Sequence, residues 1–384
     1  MARGRRTTAD RGFATAVRGV PGSSIAEALR EGATPTARWL FLGKDGRLSA
    51  YCPVPEGIVR WTESAPGSTE WTGPELFRVD GWTGRAFLSQ GSDGLVYFAG
   101  MRHRDGAPGG REIVLATQFQ TGRPLSSWRS VGNPFPDDAY TAERLGEPSV
   151  AADASGALHV FVHCFGHGVR ARRRDPGGMW GPWTDMGNRW VRTPLAPVAT
   201  SLGSVQALAT FKDGVVHWAR EAPGEDFRLL GRPSGHVVEL THTGCETGRG
   251  SVTFFWRHPA GAVVAYRRQQ GGQGAPGALT SLGGDGGEGP VGVVRHPING
   301  YDCTVLVQRG AHGGPEVAAY PTEGEHYGAW WAPVGEPCVG LPSVQVDGMG
   351  RIVLAMIRPD GSLWLSRQSM LDRGLSFEAW RGVG

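Results

Sequence analysis

One stretch of the chain reads PSVAAD at 148–153, ALHVFVH at 157–163, GVRARRR at 168–174 and WGPWTDMG at 180–187. Each run has the length of a short strand. Gly156 and Gly166 fall between the runs, where glycine supplies the positive φ that a tight turn needs. Four such strands in succession predict one blade of a β-propeller.

The same pattern recurs along the chain. Aligned on their turns, the copies have innermost strands that begin near Ala37, Arg85, Pro148, Pro197, Val237, Pro290 and Pro342. A tryptophan marks the fourth strand in most copies, namely Trp71, Trp128, Trp183, Trp331 and Trp380. The fourth and fifth copies lack it, so these two blades are expected to be irregular. The repeat predicts an all-β fold over residues 34–384, a seven-bladed β-propeller with four antiparallel strands per blade.

Residues 1–33 lie outside the repeat and are interpreted as an N-terminal extension. The arginine-rich start of this segment predicts disorder. Ser24 and Glu27 have the spacing of a capping box, and Gly32 follows at the position expected of a helix end. The extension is therefore predicted to be partly disordered and to hold one short helix.

The composition excludes several classes of protein. The net charge is +3 and the pI is about 8.7, with the arginines scattered over every blade beside 36 acidic residues. A nucleic-acid binder concentrates its positive charge on one face, so no nucleic-acid partner is expected. No long apolar run exists for a membrane span, and no apolar segment follows Arg5-Arg6 as a secretory signal requires. An odd number of cysteines without paired spacing predicts reduced thiols and a cytoplasmic location.

The repeat also predicts where loops gather. In a four-stranded blade, the turn between strands two and three and the link to the next blade lie on one face, which we call the upper face. The turns between strands one and two and between strands three and four lie on the opposite, lower face. Five histidines fall in upper-face loops, namely His103, His167, His236, His258 and His312, and His163 lies at the upper end of its strand.

Two long upper-face loops suggest one possible active site. Loop 102–110 and loop 132–144 carry His103, Asp137, Asp138, Tyr140 and Glu143, and His167 lies in the next blade. These groups could supply a general acid and base, while soluble loops without convergent geometry are the alternative. His163 and His167 flank Cys164 and could chelate zinc, but a packed strand histidine is expected. We predict no metal site and no cofactor.

The Trp-x-x-Trp run at 180–183, Pro148-x-Val-Ala151 and Gly156-x-Leu-x-Val-Phe-Val162 resemble the Trp-rich seven-bladed lectin propellers of bacteria, the Photorhabdus-type fucose lectins and their relatives. The resemblance implies sugar pockets between blades, with aromatic rings against the apolar sugar face. The ligand-binding residues expected from it and from the upper face are Trp128, Trp183, Trp331, Trp380, His163, His236, His258 and His312.

Two hypotheses of function remain open. The first is a lectin-like propeller that binds a carbohydrate or another small molecule. The second is a cytoplasmic enzyme of specialised metabolism, a hydrolase, lyase or cyclase with one active site on the upper face. Unequal loops between blades favour one specialised site over seven equal ones.

Overall fold

The computed structural model describes residues 13–32, 36–212, 214–268, 277–371 and 373–383. Over these residues the chain forms seven antiparallel sheets, each with four consecutive strands, and one of the sheets has an additional fifth strand. The prediction of a seven-bladed β-propeller is confirmed.

The strands follow one another blade by blade. Strand β1 (Ala16–Arg18) and helix α1 (Gly22–Arg30) precede the first blade. Blade one contains β2 (Leu40–Leu42), β3 (Leu48–Val54), β4 (Gly57–Glu63) and β5 (Trp71–Arg78), and blade two contains β6 (Trp82–Gln90), β7 (Val96–His103), β8 (Arg111–Gln118) and β9 (Arg129–Ser130). Helix α2 (Ala139–Glu143) leads to blade three, which contains β10 (Ser149–Ala152), β11 (Leu158–Cys164), β12 (Gly168–Arg174) and β13 (Trp180–Gly187).

The remaining blades repeat this order. Blade four contains β14 (Ala196–Ala199), β15 (Val205–Phe211), β16 (Gly214–Arg220) and β17 (Arg228–Gly231), and blade five contains β18 (Thr243–Gly248), β19 (Ser251–Arg257), β20 (Val263–Arg267) and β21 (Ala278–Ser281). Blade six contains β22 (Glu288–Ile298), β23 (Tyr301–Arg309), β24 (Pro315–Pro321) and β25 (Ala332–Pro333), and blade seven contains β26 (Val339–Val346), β27 (Ile352–Ile357), β28 (Leu363–Arg367) and β29 (Arg381–Val383). Two single 3-10 turns occur at Pro108–Gly110 and Glu325–Tyr327 among the described residues.

The core lies between the sheets. An apolar layer separates each pair of neighbouring blades, such as Phe77 of blade one against Phe98 of blade two. Each sheet therefore buries both of its faces against an apolar layer. Seven sheets separated by seven layers form a closed ring.

Side chains close the ring between blades seven and one. Trp39 Nε1 donates to the carbonyl oxygen of Leu341 at 2.8 Å, and Arg367 Nη2 lies 2.8 Å from Glu63 Oε1. Among the described residues, no strand is shared between blade one and blade seven, because each of these blades takes its four strands from one continuous part of the chain. Strand β1 instead pairs with β5 and adds an outer fifth strand to blade one.

The extension differs from the sequence prediction in detail. Helix α1 is present, but it begins at Gly22 after Pro21, and no side chain caps it. The capping box is not formed because the start of the helix is set by packing: Gly22 lies against Asp360 and Gly361 in the upper turn of blade seven. The arginine-rich start, residues 1–12, lies outside the described residues.

Blade five begins later than predicted, at Thr243 and not near Val237. The alternation of apolar residues at 237–240 imitates a strand. However, Leu240 has a φ of 62°, which no strand accommodates, and the amide of Val238 donates to the carbonyl of Arg257 at 2.8 Å. The segment is therefore a link across the upper face. No helix in the described ranges is both long and apolar enough to cross a bilayer.

Candidate functional site

A pocket of about 570 Å³ opens on the lower face between blades one and two. Its walls come from the first turn of blade one, the first turn of blade two and the loop between β8 and β9. The residues that line it are Phe41, Gly43, Lys44, Asp45, Arg47, Ser49, Tyr51, Gly94, Leu95, Val96, Gln118, Phe119, Gln120, Thr121 and Arg123. Both blades are needed to form it.

Buried polar groups fix the loop that forms one wall. Gln118 Nε2 donates to the carbonyl oxygens of Gln120 and Arg123, the latter at 2.6 Å. Arg60 crosses from blade one and donates to Gln118 Oε1 at 2.9 Å and to the carbonyl of Gly122 at 3.3 Å. Arg60 is itself held by Glu75 at 2.6 Å. The loop is thus preorganised across the blade interface.

The opposite wall carries an ion pair. Arg47 Nε donates to Asp45 Oδ2 at 2.8 Å, and Arg47 Nη2 donates to the carbonyl of Thr121 at 3.0 Å. Burial opposes ionisation of Asp45, but hydrogen bonds from Arg47 and Thr121 outweigh it and lower the pKa of this carboxyl. Asp45 is therefore a carboxylate at neutral pH, and its charge is matched by Arg47.

The side chain of Phe119 lines the pocket with an exposed aromatic ring. Phe119 is 50% exposed although it follows the buried strand β8 directly. Deeper in the pocket Tyr51 is buried, and burial raises the pKa of its phenol to about 12. Its hydroxyl lies 3.4 Å from Gln118 Oε1. The pocket therefore combines an exposed apolar ring with fixed hydrogen-bonding groups.

The tryptophans predicted to bind ligand lie between blades. Trp331 Nε1 donates to the carbonyl of Leu282 at 2.8 Å, and Trp380 Nε1 donates to that of Val334 at 2.5 Å, each in the preceding blade. Trp128 packs on Trp82 with ring centroids 4.9 Å apart, and Arg172 lies 5.9 Å above the ring of Trp183. All four rings are half-buried. Trp331 and Trp380 thus join neighbouring sheets by hydrogen bonds, while Trp128 and Trp183 pack against the apolar layers between blades one and two and between blades two and three.

The predicted histidines are spread over several upper-face environments. The rings of His236 and His258 lie 5.8 Å apart, and His312 Nδ1 lies 3.3 Å from Glu316 Oε1. His163 is 8% exposed and lines a cavity of about 760 Å³ at the upper mouth of the central channel. His103 is exposed to solvent.

The two long upper-face loops pack together through the 3-10 turn and α2. Asp138 caps α2, accepting from the Thr141 amide at 3.1 Å and from Thr141 Oγ1 at 2.6 Å. The same hydroxyl lies 3.4 Å from His167 Nε2, so Asp138 and His167 meet at Thr141, which is fully buried. Asp138 is itself fully exposed, and its hydrogen bonds to Thr141 lower its pKa.

The other members of this set lie at the surface. Asp137 and Glu143 are exposed, and Tyr140 is 61% exposed with the Arg144 guanidinium 4.1 Å above its ring. Throughout the described ranges, no three His, Cys, Asp or Glu side chains lie close enough together to hold a metal ion.

The residues of the lower-face pocket carried little signal in the sequence. Lys44-Asp45-Gly46 has the appearance of an ordinary turn, and Phe119 stands alone in a loop. One clue was available: Lys44 is one of only two lysines among the 39 lysine and arginine residues of the sequence.

No family model matches the sequence, and no curated protein does. Among solved structures, the BP39L lectin from Burkholderia pseudomallei is similar with a TM-score of 0.66 and 11% identity, over 89% of this chain and 97% of that one. The chain therefore shares the β-propeller fold of that protein. An Aleuria aurantia lectin is similar at a TM-score of 0.47 and 8% identity, covering 90% of this chain and 93% of its own. AofleA from Arthrobotrys oligospora has a TM-score of 0.48 and 10% identity, covering 78% and 86%.

Proposed function

We propose that this protein binds carbohydrate in the lower-face pocket between blades one and two. The observation that carries the proposal is the exposed Phe119 ring beside hydrogen-bonding groups held in place by Arg60 and Gln118. A sugar ring has one apolar face of C–H groups and a rim of hydroxyls, and such a pocket offers a partner to each.

The fold supports this proposal. The Burkholderia pseudomallei protein of similar architecture is a lectin. All five cysteines of this chain are unpaired, which supports the further proposal of a reducing, cytoplasmic environment. An enzyme of specialised metabolism remains a prediction from the sequence, with Asp138, Thr141 and His167 as its connected residues.

Replacement of Phe119 by alanine tests the proposal. The ring is half exposed, so its loss should leave the denaturation midpoint unchanged while sugar affinity falls roughly fivefold, the worth of about 1 kcal/mol of ring contact. Glycan-array binding followed by titration calorimetry measures the change.

Leu371→Ala is the matched control, because Leu371 is a 98% exposed apolar side chain on blade seven. It should retain full affinity. A Phe119→Ala variant that binds the same sugars as tightly as the unmodified protein would place the site elsewhere.

A further inference from the structure

We propose that the glycan recognised by this pocket is acidic, bearing a carboxylate or a sulfate. This inference rests on the proposed function of the pocket and specifies its ligand class. The features that carry it are two unpaired cations, Lys44 and Arg123, which line the same pocket as the exposed Phe119 ring.

The charge of the pocket is unbalanced. Three cations line it, Lys44, Arg47 and Arg123, against the single carboxylate of Asp45, which leaves a formal charge of +2. Asp45 is already occupied, since Arg47 lies 2.8 Å from its Oδ2 atom. In the part of the chain that the structure describes, neither Lys44 nor Arg123 forms an ion pair. An incoming anion would therefore find two available cations.

The positions of the two cations are constrained. Lys44 packs its aliphatic stem against Gly94, where a Cβ atom would lie 2.8 Å from Lys44 Cγ. The backbone of Arg123 is fixed, because its carbonyl accepts hydrogen bonds from Gln118 and Arg60. A lysine provides a compact positive charge and an arginine a planar fork that matches a carboxylate or sulfate.

A second pocket on the lower face has a smaller excess of positive charge. The pocket between blades five and six, of about 520 Å³, also contains arginines. There Arg267 is held by Glu325 at 2.9 Å and by Glu323 at 3.4 Å, and Arg268 lies 3.8 Å from Glu221. No aromatic residue is among those that line it. Two of its three arginines are therefore occupied, its two glutamates leave a formal charge of +1, and no ring among the described lining residues is present for a sugar to cover.

The experiment compares matched sugars. Each neutral glycan on an array is placed beside its carboxylated or sulfated counterpart, and the best pair is titrated in 50 mM and 500 mM salt. At low salt the acidic member should bind about tenfold more tightly, the worth of two exposed ion pairs. High salt should remove most of this preference and leave the neutral sugar unaffected.

The double variant Lys44→Gln/Arg123→Gln assigns the preference to this pocket. Both side chains are exposed, so the fold should be retained, and the variant should bind both members of a pair equally. Arg228→Gln, which removes one charge from a 69% exposed side chain on blade four, should keep the tenfold preference.

The outcomes separate the two proposals. Equal binding of acidic and neutral sugars by the unmodified protein, or a preference that survives in the double variant, overturns the acidic ligand while leaving carbohydrate binding in place. Absence of binding to any glycan, charged or neutral, overturns the proposed function itself.

Discussion

His163 shows how a single buried side chain makes this fold sensitive to acid. Its ring lies under Gly146, where a Cβ atom would come within 1.9 Å of Cε1. Burial, and then the neighbouring His242, lowers the pKa of His163 from 6.5 to about 4. The unfolded chain therefore binds a proton between these values that the folded protein does not, so stability falls as the pH drops from 6.5 to 4.

His163→Gln should make this dependence less steep, and the other buried histidines whose pKa values are lowered, His159, His217 and His242, should leave part of it. One such histidine contributes up to about 1.4 kcal/mol per pH unit to the slope of the unfolding free energy. Urea denaturation at a series of pH values from 7 to 4 measures the slope. The exposed His103 supplies the control, because His103→Gln should keep the slope of the unmodified protein. An unchanged slope in His163→Gln would mean that this ring titrates alike in the folded and the unfolded chain.

At the scale of elements, helix α1 and the upper turn of blade seven meet through two glycines. A Cβ atom on Gly361 would lie 1.9 Å from the carbonyl oxygen of Gly22, the first residue of α1. Gly350, in the first turn of the same blade, has a similar positive φ of 76° but open space around it. A comparison of substitutions at Gly361 and Gly350 therefore separates the cost of backbone strain from the cost of a steric clash.

Gly361→Ala should release the start of α1 from the propeller. Both Gly361→Ala and Gly350→Ala incur the strain of an alanine at positive φ, about 1 kcal/mol. Only the first adds a backbone clash, so it should lower the unfolding free energy by at least 1–2 kcal/mol more and speed amide exchange in residues 22–30. Equal losses in the two variants would show that α1 contributes nothing to the ring.

Elements formed by local chemistry were predictable from the sequence, and those set by packing were not. Asp153 and Asp347 mark first turns because their carboxylates accept backbone amides within the turn, at 2.9 Å from Ser155 and Met349. The start of α1 was missed because Gly361, far away in the chain, fixes it. The pocket was missed for the same reason, because Arg60 of blade one and Gln118 of blade two together hold the loop that carries Phe119. Phe119 does not belong to the repeated sequence pattern of the blades.

At the scale of the whole molecule, the departure from symmetry predicts how many sugars one chain binds. The pocket between blades five and six lacks an aromatic ring, and its Arg267 is bound to Glu323 and Glu325. Titration with an acidic monosaccharide glycoside should therefore give one site per chain.

Single-site binding has a consequence that is easily measured. A monovalent chain cannot cross-link glycoproteins, so it should neither precipitate them nor agglutinate cells at concentrations that saturate it. Fusion to a dimeric partner gives the assembly two sites and serves as the positive control. A stoichiometry near seven would show that the blades are functionally equal despite their different loops.

The scarcity of lysine gives this propeller two built-in chemical reporters. Lys44 stands in the lower-face pocket, and Lys212 lies on the upper face 5.9 Å from the ring of Trp190. They are the only side-chain amines in the sequence. Amine-selective labelling read by mass spectrometry thus reports occupancy of the pocket at one position and has its internal reference at the other, without any mutation or attached dye.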